Sequence, residues 1–313
     1  MAAPSKDWPE LSYANWQDTC TALHLWTQIV GKIRLAKTPW LNHSWHVTQY
    51  VTPRGLTTSP IPDRARSFDI LFDFVAHEVR VETSDGGLRK VALRSQSVAD
   101  FYAQVRAALD GLGIAVTIHE TPNEIPDAIP FSQDSVPRRY RPEDAERFWQ
   151  VLRQVDRLFK EFRSGFLGKS SPVHFFWGSF DHAVTRFSGR RAPPHPGGIP
   201  NLPDAVTREA YSHEVSSAGF WPGGAGNDAL FYSYAYPEPK GFREQKVRPA
   251  EASFDAKLSE YVLPYAKVRE SEDPEAKVRE FLQSTYEAAA EMGKWDRAAL
   301  ECVVGRVGVP RKV

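Results

Sequence analysis

The order of helix-forming and strand-forming segments limits what this chain can fold into more than any other feature of the sequence. Apolar residues recur at helical spacing over residues 15–36 and again over residues 143–163, and short runs rich in β-branched and aromatic residues follow each helix. Asp85-Gly86-Gly87 joins two such runs and is typical of a hairpin turn. Long helices separated by clusters of strands favour an α+β fold of antiparallel strands packed with helices, since a parallel sheet would alternate helix and strand.

Local signals predict where further elements begin. Ser97, followed by Asp100, resembles a capping box and predicts a helix that runs to about Leu109. Asp273-Pro274 predicts the start of a final helix, because proline is tolerated best at the first helical position. The predicted strands cover residues 46–52, 56–59, 68–75, 78–83, 88–93, 114–118, 173–177, 183–187, 211–217, 230–236 and 261–265.

The order helix, hairpin strands, helix occurs twice, which predicts a degenerate tandem repeat of a helix–strands–helix unit. Residues 26–35 align with residues 149–158, and both segments begin with tryptophan and end with leucine. After a small shift, His46 aligns with His174. Any two amphipathic helices that precede strands could align this well by chance, so duplication and chance both stay open.

Duplication would give a single compact unit, residues 1–313, with two internal halves, residues 10–120 and 142–295. A connector rich in proline and acidic residues, 122–142, would join the halves along the surface. The halves would then share one core and pack about a pseudo-twofold axis. His46 and His174 would occupy equivalent positions.

Composition excludes several classes of function. The 313 residues carry 39 basic and 39 acidic side chains, so no excess of positive charge points to nucleic acid or to an anionic membrane. No segment approaches the roughly 20 apolar residues that cross a bilayer, and residues 1–10 do not resemble a signal peptide. Cys20 and Cys302 lie far apart in the sequence and form neither a disulfide framework nor a thiolate metal site. We expect a cytoplasmic protein with reduced thiols that do not take part in catalysis.

Histidines and carboxylates provide the first candidate chemistry. The candidate catalytic residues are His46, His174, His213, Glu214 and Asp181. Histidine near a carboxylate suits general acid–base catalysis, and three converging ligands could hold a metal ion. No regular metal-binding spacing occurs, so a metal site, an acid–base site and histidines that serve only local hydrogen bonding all stay open.

A proline-rich loop and dense aromatic segments provide the second candidate site. Residues 189–204 form a long loop stiffened by prolines, and paired arginines suit an anionic ligand such as a carboxylate or a phosphate. Aromatic residues around 173–181 could line an apolar pocket, although they more often fill a core. The candidate ligand-binding residues are Arg54, Trp177, Arg190, Arg191 and His195.

Three functions compete on this evidence. The first is an enzyme that acts on a small anionic molecule through a His/Glu cluster. The second is a non-catalytic module that binds a small ligand in an aromatic pocket, and the third is a structural or partner-binding protein. Polar residues cluster in the same segments as the unusual loop, which favours the enzyme. The substrate, any cofactor or metal, and the oligomeric state cannot be read from the sequence.

Three segments carry a resemblance to a known family. They are LHLWTQIVGKIRLAKTPWLNHSWHVTQYVTPRGLTTSPIP (residues 23–62), SPVHFFWGSFDHAVTRFSGRRAPPHPGG (171–198) and REAYSHEVSSAGFWPGG (208–224). Each is similar to the bacterial family called domain of unknown function 5996, and the resemblance extends from about Trp8 to Glu301. It implies one full-length bacterial unit. It assigns no activity, cofactor or catalytic residue to any position.

Overall fold

A computed structural model describes residues 7–311 as helices packed on antiparallel sheets, which confirms the α+β fold. Its helices are α1 (Tyr13–Lys37), α2 (Val98–Asp110), α3 (Pro142–Ser164), α4 (Asp204–Ala210), α5 (Tyr265–Arg269), α6 (Pro274–Met292) and α7 (Arg297–Leu300), with a 3-10 turn at Asn42–Ser44. Its strands are β1 (Tyr50–Thr52), β2 (Gly55–Thr57), β3 (Ile61–Asp63), β4 (Arg66–Asp73), β5 (Glu78–Thr83), β6 (Leu88–Ala92), β7 (Gln96–Ser97), β8 (Pro137–Arg138), β9 (His174–Phe176), β10 (Asp181–Arg191), β11 (His213–Trp221), β12 (Leu230–Tyr236), β13 (Ser253–Asp255) and β14 (Glu260–Pro264).

Both predicted caps form as the sequence requires. Ser97 Oγ accepts a hydrogen bond from the Asp100 backbone N–H at 3.0 Å and donates to the Asp100 carboxylate at 2.7 Å. Asp273 accepts from the Ala276 N–H at 2.9 Å at the start of α6. Each carboxylate or hydroxyl satisfies a backbone donor that the first helical turn leaves free.

The two large sheets have the same strand order. The first sheet runs β1-β2-β4-β5-β6, with β3 also paired to β4. The second runs β9-β10-β11-β12-β14, with β13 on the outside of β14. Every pairing in both sheets is antiparallel. Duplication of the unit stays a prediction, and the shared order is what it would require.

The sheets meet edge to edge, and the long helices cross between them. Gln49 and Phe175 exchange two backbone hydrogen bonds of 2.9 Å, which join the β1 edge to the β9 edge. His24 of α1 hydrogen-bonds the Gly178 carbonyl beside β10 at 2.7 Å. In the other direction, Trp149 of α3 donates a hydrogen bond to the Thr52 carbonyl of β1 at 3.0 Å. Each helix therefore supports the hairpin of the opposite half, and one hydrophobic core contains residues from both halves.

One strand predicted in the chain between the halves does not form. Residues 114–118 form no strand: the Ile114 N–H instead bonds the Leu109 carbonyl at 3.0 Å and closes the end of α2. The connector, 122–142, does not simply lie on the surface. Phe131 is fully buried and Tyr140 packs 5.7 Å from the Trp26 ring, because these aromatic residues add to the core between α1 and α2.

The cysteines are both free. Cys302 Sγ accepts a hydrogen bond from Arg311 Nη1 at 2.7 Å. Cys20 is buried in α1, where desolvation raises the pKa of its thiol. In the described part of the chain, no helix combines the length and the apolar character needed to cross a membrane.

Candidate functional site

The face of the second sheet that points away from the helices is the candidate functional surface. His182 of β10 stacks 6.0 Å from Phe159 of α3, so its neighbours Asp181 and Ala183 point to the opposite face, which we call the outer face. The pairing register extends this face across the sheet. Its members include His174, Asp181, Thr185, Ser217, Gly219, Tyr232, Tyr234 and Glu260.

Loops rim this outer face on two sides. On one side, Trp45 packs 5.8 Å from His174 and 6.0 Å from Phe187. On the other, the proline-rich loop is tied to the connector, since the Glu124 N–H donates to the Pro200 carbonyl at 2.9 Å. Thr185 stays partly exposed between the two sides, so the middle of the face is reachable from solvent.

Three tyrosines and three carboxylates lie near one another between these rims. We call them the tyrosine–carboxylate cluster: Glu124, Asp181, Tyr211, Tyr232, Tyr234 and Glu260. The Tyr232 hydroxyl donates to the Asp181 carboxylate, and the hydroxyls of Tyr211 and Tyr234 lie 2.7 Å apart. The rings of Tyr232 and Tyr234 stack with centroids 6.1 Å apart. These contacts connect the tyrosines with Asp181, and the charges of Glu124 and Glu260 interact with that of Asp181.

Two glycines make room for this arrangement. A Cβ atom at Gly219 would lie 2.3 Å from Cζ of Tyr232, so only glycine lets that ring cross β11 to reach Asp181. A Cβ atom at Gly178 would lie 2.0 Å from Oε1 of Glu124. Contacts this short show that Tyr232 and Glu124 are placed by the backbone beneath them.

The carboxylates of the cluster repel one another and lack a cationic partner. Burial raises the pKa of Asp181, which is 6 % exposed. Burial, and then the charge of Asp181, raise the pKa of Glu124 to about 7, and the same two causes raise the pKa of Glu260 to about 7. Within residues 7–311 no lysine or arginine forms an ion pair with any of the three.

The three tyrosines of the cluster have raised pKa values. Burial raises the pKa of Tyr211 to about 12 and raises those of Tyr232 and Tyr234 well above the ordinary value. All three hydroxyls therefore keep their protons near neutral pH. The cluster can accept a positive charge at its carboxylates and surround it with aromatic rings, or it can exchange a proton through Glu124 or Glu260.

The seam between the sheets holds a second group of polar residues. We call it the Arg34 junction: Arg34, His46, Thr48, Tyr50 and His174. Arg34 donates to the Thr48 carbonyl, and its guanidinium carbon lies 5.5 Å from the Tyr50 ring centroid. The Thr48 hydroxyl lies 2.7 Å from His174 Nδ1. Burial, and then the charge of Arg34, lower the pKa of His46. Burial, and then the charges of His182 and Arg34, lower the pKa of His174 to about 3.

The candidate catalytic residues His213 and Glu214 are adjacent on β11, so their side chains point to opposite faces of the sheet. His213 packs with its ring 6.0 Å from that of His43. Glu214, the next residue of β11, binds Arg190 Nη2 at 2.6 Å. Arg190 also donates to the carbonyls of Gly293 and Lys294 at the end of α6, so it anchors β10 to that helix.

The candidate ligand-binding residues are spread over the molecule. Arg54 pairs with Asp73 at 2.6 Å on the first sheet. Trp177 packs directly on Gly31 of α1 and donates to the Val47 carbonyl at 2.6 Å. Arg191 is exposed and forms no ion pair in the described chain. His195 stacks 4.8 Å from Tyr211, at the border of the tyrosine–carboxylate cluster.

The structure thus brings some of the sequence-predicted residues near the cluster and adds others. Asp181 belongs to the cluster, and His46 and His174 share the Arg34 junction. Glu124, Glu260 and Arg34 had no local motif that could have singled them out. The tyrosines did have one, because Tyr232, Tyr234 and Tyr236 alternate along a predicted strand and must therefore share a face.

The positions of the candidate metal-ligating side chains in residues 7–311 do not support a metal site. No set of three or more histidine, cysteine, aspartate or glutamate side chains in residues 7–311 is placed to hold a metal ion. The three carboxylates of the cluster therefore interact through their charge without converging on one point.

Comparison with known proteins gives a family and no relative of known activity. No curated protein and no solved structure matches the chain. The segments that resembled a family contribute Arg34, His46, His174, Asp181 and Tyr211 to the two polar groups described above. The model of DUF5996, a family of unknown function, matches residues 8–302, and the chain therefore belongs to that family.

Proposed function

We propose that the protein binds a small organic cation, such as a protonated amine, at the tyrosine–carboxylate cluster. The observation that carries the proposal is the set of three carboxylates without an ion-paired lysine or arginine in residues 7–311, enclosed by three tyrosines. Unpaired carboxylates in a low-dielectric environment are costly unless a cation or a proton neutralises them. Aromatic rings next to carboxylates are the arrangement that binds ammonium groups.

The proposal takes the sequence-based alternative, a ligand-binding module with an aromatic pocket, and changes the charge of its ligand. Two of the arginines that were expected to attract an anion are occupied elsewhere, Arg54 by Asp73 and Arg190 by Glu214, and the third, Arg191, is exposed at the end of β10. The charged groups of the cluster itself are carboxylates. Their charge favours a cation at this position.

Binding should depend on pH through the carboxylates. An alkylamine stays protonated well above neutral pH, as lysine does. Glu124 and Glu260 lose their protons as the pH rises through about 7. We therefore expect affinity for an amine to rise between pH 5 and pH 8.

The test is calorimetric titration of the whole protein at pH 8 with three cationic probes: pentylamine, butylguanidine and tetramethylammonium. We expect saturable binding of at least one probe, and Asp181→Asn should weaken it at least tenfold. The matched control is Asp69→Asn, which should leave binding unchanged. It changes a carboxylate on the face of β4 opposite the buried Phe68 and Ile70, which we call the outer face of the first sheet. Absence of binding by all three probes, or equal loss in both variants, would overturn the proposal.

A second function, acid–base catalysis on the bound molecule, is favoured by one observation. A group whose pKa lies near 7 transfers protons efficiently at neutral pH, and burial and Asp181 bring Glu124 and Glu260 to that value. An enzyme built in this way would use these glutamates, in place of the proposed His213–Glu214 pair, and would act on a molecule that carries a cation.

Proton NMR in D2O of a bound cation with carbon-bound protons next to a carbonyl group, 4-aminobutan-2-one, separates the two functions, because the carbon-bound protons of the alkylamine probes are too weakly acidic for a glutamate to remove. Catalysis predicts exchange of a carbon-bound proton or appearance of a product, and both should be lost in Glu124→Gln. Binding alone predicts an unchanged probe spectrum over the same time.

A further inference from the structure

We propose that the Arg34 junction binds an anionic group of the same ligand, so that the ligand is a zwitterion. This inference rests on the proposed function, because the cluster would hold the cationic end. It assigns a binding role to Arg34, His46 and His174 together.

Arg34 is a buried cation without a carboxylate partner. It is 9 % exposed, its Nε has no hydrogen-bond partner within residues 7–311, and no described carboxylate forms an ion pair with it. The guanidinium group donates to the Thr48 carbonyl and interacts with the Tyr50 side chain, and its Nε–H donor stays unused within the described residues. A guanidinium group in this state is suited to a carboxylate or a phosphate, which it can bind through two parallel hydrogen bonds.

Two histidines beside Arg34 also have unused ring nitrogens. His46 is 5 % exposed and His174 is fully buried, and in both rings Nε2 has no hydrogen-bond partner in the described chain. His46 Nδ1 lies 3.1 Å from the Leu41 backbone nitrogen and 3.2 Å from the Leu41 carbonyl oxygen, and acceptance from the Leu41 N–H would place the proton of the neutral ring on Nε2. The shortest contact of the Thr48 hydroxyl is to His174 Nδ1, and donation along it would likewise leave the proton on Nε2. Both rings would then offer an N–H donor to an anion.

The two ends of the proposed ligand site lie on one continuous face. His174 pairs with Ala183 on the neighbouring strand, and Asp181 lies two residues further along that strand. Strand spacing and rise per residue place the Cα atoms of His174 and Asp181 roughly 8 Å apart. A carboxylate at one end and an ammonium group at the other would suit a short chain of a few carbon atoms between them.

Three probes of matched length test the inference by calorimetry at pH 8: pentylamine, pentanoate and 5-aminopentanoate. We expect 5-aminopentanoate to bind at least tenfold more tightly than pentylamine. Arg34→Gln should remove that advantage and leave the affinity for pentylamine unchanged. The matched control is Arg54→Gln, which removes a half-exposed arginine already paired with Asp73 and should preserve the advantage.

The outcomes separate this inference from the proposed function. Equal affinity for pentylamine and 5-aminopentanoate in the unmodified protein would overturn the zwitterion and leave the cation site in place. Failure of both to bind would overturn both proposals. If Arg34→Gln does not fold, Arg34→Lys, which keeps the charge but loses the paired donors, should lower the advantage in part, and His174→Asn should do the same. If both variants keep the full preference for 5-aminopentanoate over pentylamine, the inference is contradicted.

Discussion

On the outer face of the first sheet, four charged side chains form close ion pairs. Arg80 lies between Glu78, at 3.7 Å, and Glu82, and Lys90 reaches Glu78 at 2.9 Å. On the outer face of the second sheet, by contrast, three carboxylates lie among tyrosines without an ion-paired cation in the described chain. The two sheets have the same strand order, so topology does not explain the difference. The side chains on the outer face distinguish a solvated surface from a candidate binding site.

The difference between the two outer faces separates charges that stabilise the fold from charges that suit a ligand. Exposed ion pairs such as those of Arg80 contribute little free energy and require nothing further. Carboxylates that are buried together without a cation destabilise the free protein, and such a cost is typical of sites prepared for a ligand. The following predictions use substitutions in both sheets to test this comparison.

The largest effect should come from His174 on the second sheet. Burial lowers its pKa to about 3 in the folded state, against an ordinary value of 6.5, so the unfolded chain binds more protons between these values. Stability should therefore be fully present above pH 6.5 and fall as the pH drops toward 3. We expect a loss on the order of 3 kcal/mol between pH 7 and pH 4 from this residue. Urea unfolding of His174→Asn should show a flatter profile over that range, and a profile identical to that of the unmodified protein would contradict the prediction.

The next largest effect should come from a paired carboxylate on the first sheet. Asp73 has a fully buried side chain that accepts hydrogen bonds from Arg54 at 2.6 Å and from the N–H groups of Val75 and Ala76 at 3.0 and 2.9 Å. Asp73→Ala should cost about 1–3 kcal/mol, because two backbone donors lose their partner. Urea unfolding at pH 7 measures it. A change below about 0.5 kcal/mol would place Asp73 with ordinary surface residues.

An unpaired carboxylate on the second sheet should behave in the opposite way. Glu260 has a folded-state pKa of about 7, above its ordinary value of 4.5, so its cost to stability appears as the pH rises from 4.5 and is complete above 7. Glu260→Gln should raise the free energy of unfolding on the order of 1 kcal/mol at pH 8, after allowance for its partial exposure, and leave it unchanged at pH 4.5. Destabilisation at pH 8 would show that Glu260 has a cationic partner.

The smallest effect should come from the exposed ion pairs of the first sheet. Arg80→Ala should change the free energy of unfolding by less than about 0.5 kcal/mol, since solvent screens both of its carboxylate contacts. The same denaturant series measures it. A larger loss would show that the charged outer face of the first sheet is part of the stabilising structure.

The fold was predictable to the extent that it depends on local signals. The long helices, the Ser97 and Asp273 caps and the strands 78–83 and 230–236 follow from spacing and end signals in their own segments. The predicted strand 114–118 failed because its apolar residues fill the core without a neighbouring strand to pair with. Local spacing does not report whether such a partner exists.

The candidate site was predictable only in part, because it is assembled by strand register. Asp181 and the alternating tyrosines of β12 could be noticed in the sequence, but Glu124 comes from the connector and Glu260 from a strand much later in the chain. His213 and Glu214 looked like a pair because they are adjacent, and adjacency in a strand places side chains on opposite faces. Arg34 gave no signal of its burial, since an arginine in a helix usually faces solvent.

The central claim is that the second sheet carries an uncompensated acidic centre for a cation, and titration of its carboxyl groups by carbon-13 NMR tests it most directly. The account predicts that Glu124 and Glu260 each titrate near pH 7 in the free protein, and that saturating pentylamine lowers both pKa values. Assignment follows from loss of the corresponding signal in Glu124→Gln and Glu260→Gln. Titration of both glutamates near their ordinary value of 4.5, with no change when the amine is added, would contradict the account.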